Sequence, residues 1–434
     1  MLNYLTNYLP CVNILTKKQD NPPDLVSLSA LYPSFVDYNV KNLNKRISLD
    51  LIRFTPGGIS RSELARQLGL TRAAVSTIIG DLIVSGLVHE TEDGPATGGR
   101  RPILLELNPR RGNLVGIDLG ATHYDMLVTD FAGRVINEAE ARLDIRMDPD
   151  SYLRRIDDAV RAMLADAQLK MDDVLAIGMG VPGPISTAAG TVVAPPIMPG
   201  WDKYPIRIKA QELWSRPVSL NNDAELGALG EWAHGAGRGE RHLAYIKVGT
   251  GVGAGLLLDG KIFQGATGCA GEIGHVTVRD DGPLCTCGNY GCLEAMAGGG
   301  AIAKKAREAV LAGKRTQLAS IHSVNEITAR DVAHAARLGD LVAQQIMTEA
   351  GGYLGIGIAS LVNVFNPSMI VIGGGVAQVG DLLLDPIRQV VRDRSLRSAA
   401  QAVRITAAVL GRRSTSMGAV VQALNIALDQ LTAN

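Results

Sequence analysis

One change of character, near Arg111, limits the architecture of this 434-residue chain more than any other feature. Before it, apolar residues recur at helical spacing in short segments separated by glycine turns. After it, apolar strands alternate with amphipathic helices, the pattern of an α/β protein. At roughly 150 residues per domain, the length fits about three folding units.

The first part reads as a winged helix. Leu49, Ile52, Arg53 and Phe54 suggest a helix ended by Pro56-Gly57-Gly58. Ser60-Arg61-Ser62-Glu63 fits a capping box, in which Ser60 accepts a backbone N–H and Glu63 reaches back. Helix Arg61–Leu68 then breaks at Gly69, and Thr71 caps a second helix whose inner face is Val75, Ile78, Ile79 and Leu82. Helix, glycine turn, helix is the helix-turn-helix pattern. Strands at 86–90 and 103–107, joined by the polar loop 91–102, make a wing. The outer helix face carries Ala73, Ser76, Thr77 and Gly80, with Arg72 at its edge. These groups suit close approach in a major groove. Arg100 and Arg101, between glycines and Pro102, suit an electronegative minor groove. Residues 41–110 hold ten basic and seven acidic side chains, a net of plus three. The alternative is a winged helix that makes protein contacts. Residues 1–40, punctuated by Asn21, Pro22, Pro23 and Pro33, show no period and are expected to be poorly ordered; a docked arm is the other reading.

Beyond Arg111, strands are expected at 114–119, 124–130, Val174–Val181 and 218–221, with helices at 151–169, Ile206–Trp214 and 223–233. A second set starts at Leu243, includes a strand at 369–372 and closes on a helix at 416–431. Two sets in series suit two lobes around a cleft. Glycine is high, at 49 residues, and 25 of them lie in 178–300. No three-residue period accompanies them, which excludes collagen. The longest apolar stretch, 353–376, is broken by Asn363, Asn366 and Pro367, short of the ~18 residues of a membrane span. The start lacks the basic region of a signal peptide. A cytoplasmic chain with no membrane partner is expected.

His275, Cys285, Cys287 and Cys292 fall within eighteen residues. Three thiolates and an imidazole make a tetrahedral zinc set, and four protein ligands make it structural rather than catalytic. Redox sensing is the alternative. Five cysteines are too few for a disulfide framework, and Cys11 and Cys269 look unrelated, Cys269 as a small buried residue. Three glycine turns offer N–H groups to an anion: Asp118-Leu119-Gly120-Ala121-Thr122, Gly249-Thr250-Gly251-Val252-Gly253 and Gly373-Gly374-Gly375. Asp118 suits Mg2+ held through water. Each turn alone also fits ordinary chain reversal. Asn222, Asp223, Glu272, His275 and Glu294 together suit a polyhydroxylated ligand, whose hydroxyls both donate and accept; Asp223 alone also fits a helix N-cap.

The segment Gly271-Glu272-Ile273-Gly274-His275 with Cys-x-Cys-Gly-x-x-Gly-Cys-Leu-Glu, joined to Asp-Leu-Gly-Ala-Thr, Asn-Asp-Ala and Gly-Thr-Gly-Val-Gly-Ala-Gly, resembles the ROK family of repressors and sugar kinases. The resemblance runs from about Arg111 to the C-terminus. It implies an actin-like (RNase H-like) two-lobed α/β fold behind the winged helix. Residues 111–230 with 414–434 would form one lobe, and 231–413, with the zinc loop, the other. It implies zinc on His275, Cys285, Cys287 and Cys292, and sugar on Asn222, Asp223, Glu272, His275 and Glu294. Asp118, Gly120, Thr122, Gly249, Thr250, Gly251, Gly374 and Gly375 would meet nucleotide. In the family's kinases the residue matching Asp223 takes the proton from the attacking hydroxyl. Their phosphate turn usually reads Asp-x-Gly-Gly-Thr-Lys. Here Ala121 crowds that turn and His123 replaces the lysine, which weighs against ATP and Mg2+. The added winged helix marks the family's repressors. The implied partners are operator DNA, a sugar or sugar-phosphate effector, and a second or further copy in a homodimer or homotetramer; an ATP-dependent sugar kinase is the alternative.

Overall fold

The computed structural model describes residues 40–91, 102–186, 189–193, 198–321 and 323–433. Arg100, Arg101, Cys11 and the extension before residue 40 lie outside the described residues.

The first module holds α1 (Val40–Phe54), β1 (Ile59–Ser60), α2 (Arg61–Leu68), α3 (Arg72–Val84), β2 (Val88–Thr91) and β3 (Leu104–Leu107). The strands form an antiparallel sheet in the order β1-β3-β2. Local chemistry sets the helix ends. The Ser60 side chain accepts from the Glu63 N–H, Gly69 closes α2 at φ 66°, and the Thr71 side chain accepts from Ala74 N–H. The capping box is only half made. Glu63 accepts from Arg66 and Gln67 instead of reaching back, and these bonds pull its carboxyl down to about 2. Helices α2 and α3 meet at 115°, inside the range of DNA-reading helix pairs. Val75, Ile78, Ile79 and Leu82 are buried as expected.

The body contains two five-stranded sheets. The first set is β4 (Asn113–Leu119), β5 (His123–Asp130), β6 (Val135–Arg142), α4 (Pro149–Asp166), β7 (Val174–Val181), the small hairpin β8 (Ile185–Ser186) and β9 (Thr191–Val192), α5 (Ile206–Trp214) and β10 (Val218–Asn222). Helix α6 (Asp223–His234) then leads to β11 (Leu243–Val248), β12 (Val252–Leu258) and β13 (Lys261–Ile262). After these come α7 (Leu293–Ala297), α8 (Gly299–Leu311), α9 (Ala329–Arg337), α10 (Leu341–Phe365), β14 (Met369–Gly373), α11 (Asp381–Arg394), α12 (Arg397–Ala402), β15 (Arg404–Ala407) and α13 (Ser414–Ala433).

The sheet orders are β6-β5-β4-β7-β10 and β13-β12-β11-β14-β15. In each, the first three strands form an antiparallel meander and the next two join parallel. One topology therefore occurs twice, although the sequence shows no repeat. Strand β6 escapes the sequence reading because it is an exposed edge. Its Glu138 and Glu140 pair with Arg413 and Arg412, and charge on an edge blunts further strand pairing.

Helices α6 and α13 join the two sheets. Helix α13 packs on β4, β7 and α6, and α6 packs on β11 and β12. The contacts run backbone to backbone. A methyl on Gly116 would strike the Ser416 carbonyl, one on Gly178 the Ala419 carbonyl, and one on Gly418 the Leu226 carbonyl. Glu231 of α6, fully buried, accepts from the Val409 and Leu410 amides and the Ser414 hydroxyl, so it fixes the start of α13.

The helical module shares its core with this body. Leu49, Ile52 and Leu105 belong to one cluster with Leu114, Phe131, Val420, Leu424 and Leu428. Arg46 and Arg53 of α1 donate to the Asn425 side chain of α13 at 3.2 and 2.7 Å. The Phe54 ring meets the Trp232 ring of α6 edge-on, with centroids 4.8 Å apart. Among the described residues no single helix is long and apolar enough to cross a membrane.

Candidate functional site

Residues singled out from sequence gather on two surfaces. On α3, Arg72, Ala73, Ser76 and Thr77 are all exposed and lie opposite the buried face. Thr77 also donates back to the Ala73 carbonyl at 3.2 Å.

The second surface is a cleft of about 530 Å3. Asn222, Asp223, Glu272, His275 and Glu294 all line it, with Gly120, Gly249, Thr250 and Gly251. The other nucleotide candidates do not. Asp118 is buried beneath the cleft, Thr122 is exposed on the turn, Gly374 is tucked against Val248, and Gly375 lies beside Arg330.

The cap of α6 belongs to Asn222 rather than Asp223. The Asn222 side-chain oxygen Oδ1 accepts from the Ala224 and Glu225 backbone amides at 2.8 and 3.2 Å, and its side-chain Nδ2 donates to the Gly183 carbonyl at 3.0 Å. One Asn222 N–H is left for a ligand. Asp223, freed from capping, has its carboxylate 3.0 Å from Lys247 Nζ. Lys247 also donates to Asp118 at 3.0 Å and to the Thr415 hydroxyl at 3.3 Å. Burial alone would lower the lysine's pKa, yet the Asp118 and Asp223 charges hold it well above the ordinary value. The lysine escaped the sequence reading because it stands alone inside an apolar strand.

The opposite wall follows from close approach. Gly271 has φ +91°, and a methyl there would strike the Ala254 carbonyl; one on Gly274 would strike the Val252 carbonyl. The segment therefore lies directly on β12 and sets Glu272 and His275 at the cleft. Burial raises the Glu272 carboxyl above its usual range, with His275 pulling the other way. Glu294 accepts from the Val252 amide at 3.1 Å and the Thr286 hydroxyl at 3.2 Å. Glu225, behind this wall, accepts from Asn221 and Gln264, both at 3.0 Å.

His275, Cys285, Cys287 and Cys292 converge, with their ligand atoms within 4.8 Å of one another. Cys285 Sγ lies 3.7 Å from His275 Nδ1, and Cys287 Sγ 3.7 Å from Cys292 Sγ. A tetrahedron with zinc–sulfur and zinc–nitrogen bonds has edges of about 3.5–3.8 Å, so the donor set fits such an ion. His275 Nε2, on the ring's far side, is 3.9 Å from Glu272. Cys269 is exposed, not buried as expected, because it sits on a surface loop.

A duplicated two-sheet fold with a cleft at its joint defines the actin-like class, and the cysteine-rich loop narrows it. The ROK family model matches residues 114–426, and the chain belongs to the ROK family. It is 35% identical to the xylose repressor of Caldicellulosiruptor bescii, over 89% of this chain and 96% of the repressor. It is 37% identical to the glucokinase of Halalkalibacterium halodurans, over 70% of this chain and 92% of that enzyme. Among solved structures, a ROK family transcriptional regulator, a homolog of the E. coli MLC protein, superposes with TM-score 0.76 at 29% identity. That match covers 91% of this chain and all of the regulator.

The family's kinases imply a metal–nucleotide complex, and the residues here do not fit one. Lys247 fills the space between Asp118 and Asp223. Ala121 adds a methyl to the phosphate turn, and the His123 ring folds back over Gly120.

Proposed function

We propose that this chain is a sugar-responsive DNA-binding repressor of carbohydrate-metabolism genes. One observation carries the reading: the likeness to repressors runs through the helical module as well as the cleft, whereas the glucokinase likeness covers 70% of the chain. In this reading residues 41–110 bind operator DNA. Arg72, Ala73, Ser76 and Thr77 enter the major groove, and Arg100 and Arg101 of the wing the minor groove. Residues 111–230 with 414–434, and 231–413, form the two lobes.

Asn222, Asp223, Glu272, His275 and Glu294 bind the sugar's hydroxyls. Zinc on His275, Cys285, Cys287 and Cys292 supplies structure: it fixes the imidazole through Nδ1 and leaves Nε2 to face the ligand. Helix α6 starts at the cleft with Asp223 and ends against Phe54 of α1 through Trp232. A sugar that prefers one lobe arrangement thereby biases the position of the DNA-binding module. As a homodimer or homotetramer, the protein spans half-sites about 10 bp, or a multiple, apart.

The test is operator selection from genomic fragments, followed by titration with xylose, glucose and N-acetylglucosamine. Failure to bind DNA under every sugar condition sinks the reading. The glucokinase likeness favours a second reading, an ATP-dependent sugar kinase with Asp223 as base. An ADP-release assay with sugars that bind decides it, and absence of turnover removes it.

A further inference from the structure

Lys247 has every proton of its ammonium committed. Nζ donates to Asp118 Oδ2 and lies 3.0 Å from it and from Asp223 Oδ2, with Thr415 Oγ1 at 3.3 Å. An ammonium carries three donors, so these acceptors account for all of them. They come from three segments: the end of β4, the start of α6 and the start of α13. The lysine itself comes from β11, in the other sheet. Its cross-strand neighbours are Gly253 and Gly373, so no side chain beside it blocks its reach. The lysine side chain is 19% exposed and that of Asp118 6%. Charges at that depth persist when paired and hydrogen-bonded.

Phosphoryl transfer needs a divalent metal beside the phosphates and a carboxylate free to accept the sugar's proton. Here an ammonium already stands between Asp118 and Asp223. A metal entering the same space would meet a fixed positive charge and would have to displace three hydrogen bonds. The geometry points to Lys247 as a specificity-determining residue: a built-in cation that holds Asp223 as a hydrogen-bond acceptor for a neutral polyol and excludes a metal–triphosphate from the cleft. This rests on the cleft being the sugar site. It adds a residue, and a ligand class that the site rejects.

The experiment uses zinc-loaded, full-length protein. Mn2+, alone and with a non-hydrolysable ATP analogue, is titrated in, and free Mn2+ is read by electron paramagnetic resonance. Sugar binding is followed in parallel by calorimetry. Wild type is expected to take up no Mn2+ in the cleft and to bind sugar equally with and without Mg2+–ATP. Lys247→Ala is expected to gain a Mn2+ site roughly tenfold tighter than any in wild type, as oxygen ligands become free. Adding Asp118→Asn is expected to remove that site. A folded Lys247→Ala that gains no Mn2+ overturns the proposal. So does a wild type that takes up Mn2+ together with the ATP analogue at a site that Asp118→Asn weakens. Should Lys247→Ala fail to fold, uptake of the Mn2+–analogue complex by wild type decides alone. A wild type that binds no sugar at all overturns the sugar reading itself, an outcome visible in calorimetry before any metal is added.

Discussion

The first strands of the two sheets occupy the same place in a repeated topology, yet they end on opposite charges. Strand β4 carries Asp118 as its next-to-last residue, and β11 carries Lys247. Each sits opposite a glycine on the parallel neighbour, Gly180 and Gly373. The turns that follow differ as well. A methyl on Gly120 would meet the His123 ring and carbonyl of its own turn, whereas one on Gly251 would strike the Glu294 carboxylate that lies over it from α7. A duplicated backbone has thus not duplicated its chemistry. One half closes its turn with a neighbouring ring and supplies Asp118; the other backs its turn with the Glu294 carboxylate, supplies Lys247 and carries the cysteine loop.

The two halves differ most at the cysteine loop. Cys292→Ala is expected to abolish metal binding, read by native mass spectrometry, and the sugar-induced thermal shift with it, since a structural zinc supplies ~10 kcal/mol or more to small domains. Retention of both would detach the loop from the cleft. Asp118→Ala leaves the ammonium with a single carboxylate. Loss of one partner of a buried ion pair costs about 3 kcal/mol, and urea unfolding measures it; unchanged stability would show that the opposite charges do not hold the halves together.

Asp223→Asn removes a charged acceptor worth about 1.5–3 kcal/mol. Sugar affinity should fall roughly tenfold to a hundredfold by calorimetry, with operator affinity spared. Outside the cleft, Arg72→Ala and Arg100→Ala should each weaken DNA binding and lower the salt dependence by about one ion, without changing sugar affinity. Unchanged operator binding in Arg100→Ala would refute the wing assignment.

A last expected outcome concerns pH. Asp125 faces Asp118 across the β4–β5 pair. Burial, then the Asp118 and Glu140 charges, push its carboxyl from 3.8 up to about 7, against the pull of Arg412 and Lys247. Between those values the folded chain keeps a proton that the unfolded chain has released. Stability from this group therefore falls as pH rises from about 4 to 7 and levels off above. Asp125→Asn should flatten that slope in urea midpoints measured across the range.

What the sequence made legible was chemistry written locally. Ser60, Gly69 and Thr71 announce helix ends because caps act over three or four residues. The cysteine loop is legible because ligands for one ion crowd one segment. Lys247 is not, since its partners are distant in sequence and no other charged residue accompanies it in β11. Glu231 hides for the same reason, its acceptors meeting amides from residues 409 and 410. Strand β6 is not legible because its pairing is one-sided and its exposed residues lack a clean apolar alternation. The cap on Asn222 rather than Asp223 was a matter of one residue, below what spacing alone resolves.

Helix α13 rests on its neighbours through carbonyls and bare Cα atoms, with hardly a side chain between them at Gly116, Gly178 and Gly418. Side chains in a core can change rotamer and take up a displacement; a seat without them has nothing to compress. The joint therefore works as metal on metal rather than rubber on metal. The same helix carries Asn425, which Arg46 and Arg53 of α1 grip, so at these three points any movement of its neighbours against it has to be taken up by backbone rather than by rotamers.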